Sequence, residues 1–330
     1  MTHSSSIGKR VRTHLTSSRG RLPWLATLWL AGTCSAMGLQ VEPAPAGCGV
    51  PALVAPAPPE AARERLAQSQ AVRGQRDIAW AWLGSPTQRY PHGALGSPIH
   101  AASLHVLART PEAGLQERVY TLPLRRVFED RVPRLVDMDG DGRDEIILVE
   151  ADAFQGAALV VFGLRAEGTG AAAGGATAAL QLTELARGPS AGSAFRWLNP
   201  VGVADFDGDG QLDIASVVTP HVGGVLTLHH YRPPRLEPYA RAMDVSNHRM
   251  GMLEQQLAVI VEQAGHRPTI VLPDMQLRAL HALRWVAPGK WQELADPQSL
   301  PARVERLTPL AGGGCLLLAN RSWWRVSVMP

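Results

Sequence analysis

Two short stretches restrict this chain more than any other: residues 134–149, RLVDMDGDGRDEIILV, and residues 203–218, VADFDGDGQLDIASVV. Each sets an acidic turn between two apolar runs, with carboxylates at the first, third, fifth and ninth positions of the turn. In the first turn these are Asp137, Asp139, Asp141 and Glu145; in the second they are Asp205, Asp207, Asp209 and Asp213. Carboxylates packed this closely repel one another by ~1 kcal/mol per close pair in water and ~4 kcal/mol at a protein-surface dielectric, so a compact turn calls for a hard cation. The expected ion is Ca2+.

The runs on either side of the turns read as strands. From Asp77 onward the apolar segments are short and are separated by Gly, Pro, Asp and Asn. Strands are expected at 78–84, 103–109, 158–164, 180–185, 224–231, 257–263, 269–273, 315–319 and 323–329. No segment after Gln70 keeps a helical period through three turns with caps, although Gly251 to Gln256 has room for one turn. The expected class is all-β.

Aligned on the acidic turns, one unit spans about 130–187 and a second about 195–245. Two weaker echoes follow, one turning at Glu262-Gln263-Ala264-Gly265 and one at Gly312-Gly313-Gly314, and a further unit precedes the first turn from about 78 to 129. This makes about five units of roughly fifty residues, the size of a four-stranded propeller blade. On DMDGDGRDEIIL and DFDGDGQLDIAS the chain resembles the FG-GAP/VCBS repeats, the blades of integrin-like β-propellers. The resemblance loosely covers residues 77–330 and implies a β-propeller of about five blades. It also implies that the backbone carbonyls at position seven, those of Arg143 and Gln211, join the carboxylates as calcium ligands. Glu145 departs from the Asp that the family usually carries at position nine.

Other readings of the turns fit less well. An EF-hand needs a bidentate Glu at position twelve, where this chain has Leu148 and Ser216, and it needs flanking helices. A haloacid-dehalogenase-like phosphatase shares the strand-then-DxD pattern, but it has Thr or Val where Asp141 and Asp209 stand. It also needs a lysine, and beyond the N-terminal leader the only one is Lys290. Acidic turns without metal are the plainest alternative, since Asp and Gly favour turns anyway.

The N-terminal 36 residues have the form of a secretory signal: a basic region to Arg21, an apolar run from Leu22 to Ala31, and small residues to Ala36. An uncleaved membrane anchor and a lipidated Cys34 are the competing readings. Of the 32 basic residues, Lys9, Arg10, Arg12, Arg19 and Arg21 belong to this leader. The rest of the chain is therefore close to balance against 29 acids, which gives no electrostatic reason to expect a nucleic-acid partner. Cleavage after Ala36 would leave Cys48 and Cys315, an even count that suggests a disulfide in an exported chain. Residues 37–76 read as a Pro/Ala-rich linker with a short surface helix over Pro59 to Gln70, ahead of the 77–330 domain.

The remaining chemical signals are weak. Gly188 to Gly192 fits G-x-S-x-G, yet it lies in a Gly/Ser/Pro loop rather than at a strand-to-helix elbow. His100, His105, His221, His229 and His230 have no zinc-ligand spacing. Trp80, Trp82, Trp197, Trp285, Trp291, Trp323 and Trp324 suit either blade packing or a sugar-stacking platform. No catalytic set emerges. The expected function is an exported, periplasmic, secreted or cell-surface module that binds a protein or polysaccharide without catalysis. The alternative is a polysaccharide-active enzyme on the same scaffold, for which Asp152, Glu184, Asp244, Glu254 and Glu262 are the available carboxylates.

Overall fold

The computed structural model describes residues 38–50, 56–110, 113–166 and 180–329. The expected leader, with Cys34, lies outside them. The described residues contain no α-helix, and none of their helical turns is long and apolar enough to cross a membrane. The chain is all-β.

Four-stranded antiparallel meanders make up most of the structure. Strand β1 (Gly38–Ala44) comes first and is used last. The first meander is β2 (Val72–Arg73), β3 (Ile78–Thr87), β4 (His100–Thr110) and β5 (Gly114–Thr121). After β6 (Arg126–Phe128), the second is β7 (Arg134–Val136), β8 (Glu145–Asp152), β9 (Gly156–Ala166) and β10 (Leu180–Arg187). The third is β11 (Leu198–Ala204), β12 (Asp213–Val218), β13 (Val225–Arg232) and β14 (Arg235–Met243). The fourth is β15 (Val259–Gln263), β16 (His266–Pro273), β17 (Ala279–Ala287) and β18 (Lys290–Glu293), with β19 (Gln298–Ser299) beside β17. The last contributes β20 (Val304–Leu310), β21 (Gly313–Leu318) and β22 (Trp323–Met329), and β1 supplies its fourth strand, Gly38 pairing with Met329 and Ala44 with Trp323.

That pairing corrects the linker reading of 37–76. GLQVEPA alternates well enough to pair, and its Pro43 is tolerated because β1 is a sheet edge. Cys48 is buried just beyond it and is bonded to Cys315 of β21, the Cα atoms 5.8 Å apart. The helix expected over Pro59 to Gln70 reduces to a 3-10 turn at Glu60–Ala62. Gln68 adopts a left-handed φ of 61° that no helix continues through, and Ala62 and Leu66 are buried rather than at the surface. No helical turn forms at 251–256 either.

Apolar clusters join successive meanders. The first and second share Leu83, Leu104, Phe128 and Phe162; the second and third share Ile147, Val161, Trp197 and Ile214. The third and fourth share Phe206, Val217, Ile270 and Trp285; the fourth and last share Val271, Leu280, Leu307 and Leu316. The buried Trp197 and Trp285 belong to these clusters, and the fully buried Trp82 stacks on His105.

The first strand of the second meander is interrupted. Strand β6 pairs with Glu150 to Asp152 and β7 with Glu145 to Ile147, and of the five residues between them Glu129, Asp130 and Arg131 are buried polar groups. Here a side chain replaces the ladder: Asp130 Oδ2 accepts the Val149 N–H at 3.0 Å. First strands lie near one another, β11 against β15 and β15 against β20. Residues of β7 and β11 and Arg306 of β20 border a cavity of 930 Å³ that also receives residues 251–256.

Candidate metal centre: two acidic loops of one geometry

Both acidic turns connect the first and second strands of a meander, the first between β7 and β8 and the second between β11 and β12. Each is anchored by the apolar residue at position two. Met138 and Phe206 are buried, and their N–H groups donate to the carboxylates at position nine, Met138 to Glu145 Oε2 at 2.9 Å and Phe206 to Asp213 Oδ2 at 3.3 Å. A longer Glu can thus do the work of Asp at this place.

The turn itself is shaped by the two glycines. Gly140 and Gly142 have φ of 75° and 83°, Gly208 and Gly210 have 76° and 86°, a region costly for other residues. This backbone points successive N–H groups inward. Asp137 Oδ2 accepts Gly142 N–H at 3.1 Å and Asp205 Oδ2 accepts Gly210 N–H at 3.0 Å. Arg143 and Gln211, at position seven, donate their N–H groups at 2.8 Å to Asp141 and Asp209. The loops share these bonds, but Asp205 Oδ1 also accepts the Gly208 and Asp209 N–H groups at 2.7 and 3.1 Å, bonds that the first loop lacks.

The carboxylates converge. Ligand oxygens of Asp137, Asp139 and Glu145 lie within 4.8 Å of one another, as do those of Asp205, Asp207 and Asp213. Asp141 and Asp209 are exposed at the rims. In the first loop the buried Asp137 Oδ1 has no hydrogen-bond partner, an orphaned acceptor of the kind a cation would satisfy. Burial pushes the Glu145 and Asp213 carboxyls up, a cost that a bound cation would reverse. The carboxylate donors are oxygen and anionic, which suits a hard divalent ion, and at the second loop the His230 imidazole also lies within 4.8 Å of Asp207 and Asp209 oxygens.

Several neighbours of the loops were not foreseeable from the chain. Arg165 of β9 lies 3.2 Å from Glu145 Oε1, and Arg76 lies 3.5 Å from Asp137 and 2.9 Å from Asp144. In the second loop, His230 of β13 lies 3.0 Å from Asp213, and Tyr239 of β14 donates to Asp213 at 2.7 Å. Asp213 and His230 are cross-strand partners, so only the register between β12 and β13 brings them together. The loops share a 540 Å³ cleft bordered by Asp139, Gln211, Tyr231 and Arg232.

Other sequence signals resolve differently. Gly188 to Gly192 is a loop whose Gly188 N–H donates to Leu159 of β9, not an elbow. His100 donates to the His92 carbonyl at 2.9 Å, and His105 contacts Glu117 at 2.8 Å. Asp152 is held by Arg125 and Arg126, Glu184 by Arg187 and Glu254 by Arg306, so three of the candidate acids already have cationic partners.

Among known proteins, no family model matches the chain and no curated sequence matches it. What it does has to be argued from its own geometry.

Proposed function

We propose that the five meanders are the blades of an exported, calcium-stabilised β-propeller that acts as a non-catalytic binding or adhesion module for a protein or polysaccharide partner. The observation that carries this reading is the repetition of one loop geometry, with converging carboxylates at positions one, three and nine, in two successive meanders. Calcium in each loop would be held by Asp137, Asp139, Asp141 and Glu145, and by Asp205, Asp207, Asp209 and Asp213, with the Arg143 and Gln211 carbonyls completing the sets. Its role is to neutralise each turn and so hold the first two strands of a blade at fixed separation. The pairing of β1 with β22 supports the propeller, because it brings one end of the chain into the blade built by the other. The disulfide supports an oxidising, extracytoplasmic setting.

Calcium titration with thermal melting tests this. At a hundredfold excess over the dissociation constant, each site adds about 2.7 kcal/mol to stability. The melting temperature should rise with calcium and fall with chelator, and Asp205→Ala with Asp209→Ala should halve the bound calcium. Identical melting with calcium and chelator would sink the reading.

A further inference from the structure

Antiparallel order sends the loops of a meander to two opposite ends of its strands. The acidic turns, between first and second strands, lie at one end. Turns between second and third strands, and the connections from one meander to the next, lie at the other. These are the loops 88–99, 122–125, 153–155, 188–197, 219–224 and 244–258. Bonds between them make one surface. Ala153 N–H donates to the Arg125 carbonyl and Gly192 N–H to that of Gln155, each at 2.9 Å. Phe195 N–H donates to the Tyr90 hydroxyl at 2.6 Å and Gly251 N–H to the Ala94 carbonyl at 2.8 Å, while His221 Nε2 lies 2.8 Å from His248 Nδ1.

The tips of this surface are apolar. Leu124, Val222 and Phe154 are the three most exposed large apolar side chains among the described residues, at 86%, 78% and 74%, and Phe195 and Met250 are more than half exposed. The five stand on five separate loops, as single points rather than as the wall of a groove.

Guanidinium groups stand beside them. Arg196 follows Phe195 and Arg249 precedes Met250; both are exposed, and neither has an ion-pair partner among the described residues. Arg125 follows Leu124 and is paired with Asp152 at 2.8 Å. Against these cations the loops expose one carboxylate, Asp244, while Glu254 is held by Arg306. The face is therefore basic as well as apolar. Isolated apolar tips would each need a matching pocket on a folded partner, whereas a fluid acyl layer takes them without one. Neighbouring guanidiniums then stay level with the lipid phosphates.

We propose that this end of the protein docks on an anionic phospholipid bilayer, with Leu124, Phe154, Phe195, Val222 and Met250 inserted and Arg196 and Arg249 on phosphate groups. The claim is separate from calcium binding and from a protein or polysaccharide partner. Gly38 pairs with Met329 at the acidic-loop end, which separates this surface from any attachment made through the leader.

Co-sedimentation of the full chain with vesicles of equimolar phosphatidylcholine and phosphatidylglycerol, and with vesicles of phosphatidylcholine alone, tests it. Binding to the anionic vesicles should be at least tenfold tighter. Leu124→Ser with Phe154→Ser and Val222→Ser should remove most of the binding, and Arg196→Gln with Arg249→Gln should cancel the preference for anionic lipid. All five side chains are exposed, so an unchanged melting temperature checks that the variants fold. An environment-sensitive dye on Phe154→Cys, in a Cys34→Ser background, should shift to shorter wavelength on the vesicles. Vesicle binding with an unshifted dye would assign the contact to the leader or the acidic loops and overturn the proposal. Equal binding to the two kinds of vesicle would also overturn it, and that comparison needs no variant. Binding of soluble polyglutamate as tight as that of the vesicles would overturn it in favour of an acidic polypeptide.

Discussion

Arg165 Nη2 lies 3.2 Å from Glu145 Oε1, whereas the matching carboxylate of the second loop, Asp213, faces the imidazole of His230 at 3.0 Å. The loops share a backbone and differ in the side chain placed beside the position-nine carboxylate. A guanidinium remains charged at every accessible pH and competes with a metal for the same oxygen. Arg76, close to Asp137, adds to the competition in the first loop.

The second loop should therefore bind calcium more tightly. Arg165→Gln should raise the affinity of the first loop by roughly threefold to tenfold, the worth of a pair near 1 kcal/mol. Calorimetry with a two-site fit reads both constants. An unchanged first-loop constant would show that Arg165 does not compete.

The disulfide between Cys48 and Cys315 closes a separation of 267 residues and fastens the segment after β1 to β21. Among the described residues no apolar cluster spans the last and first meanders, and this bond and the β1 pairing fasten the segment ahead of the first meander to the last one. The chain-entropy model allows ~5 kcal/mol for so long a loop, and measured values are usually lower. Cys48→Ser with Cys315→Ser should lower the urea midpoint accordingly. Loss of protease protection should begin at residues 38–50.

Acid should destabilise the fold through buried histidines. Burial lowers His100 to about 4 and His248 to about 3, against an unfolded value near 6.5. Both are neutral when folded: His100 Nε2 donates to the His92 carbonyl, and His248 Nε2 to that of Met252, each at 2.9 Å. A second proton on His248 would confront His221 Nε2, 2.8 Å from its Nδ1. As pH falls below about 6.5 the unfolded chain takes up protons that the folded chain does not. Their stabilising contribution is thus complete above that value and drains away toward the folded values of about 4 and about 3. Each tenfold difference in proton affinity is worth about 1.4 kcal/mol. The drop in melting temperature from pH 7 to pH 5 should be smaller in His248→Gln than in wild type.

Asp130 replaces a missing stretch of sheet ladder, accepting the Val149 N–H while paired to Arg134. Its removal leaves the Val149 N–H unpartnered and leaves Arg134 only the Val132 carbonyl at 3.0 Å. Asp130→Ala should cost about 3–5 kcal/mol in urea unfolding, as for other broken buried pairs. A cost below 1 kcal/mol would mean that water substitutes for the carboxylate.

The acidic loops were legible because everything that shapes them lies within nine residues: glycines where φ is positive, an apolar anchor at position two, carboxylates at fixed offsets. The short strands were legible for the same local reason. Strand β1 was hidden in a Pro/Ala-rich stretch, because its pattern is weak and its partner, β22, is at the far end of the chain. Leu66 also misled. The burial of a lone Leu is decided by what folds over it, here partly β3, whose Leu83 carbonyl takes the Leu66 N–H.

The sequence by itself determined the all-β class, the repeating units and the two carboxylate loops, since turn chemistry and strand periodicity act over a few residues. Only the tertiary structure decided what surrounds them. It set Arg165 and His230 against the loops and joined β1 to the last meander. These outcomes depend on register and on desolvation, which bring together groups tens to hundreds of residues apart and which no local pattern encodes.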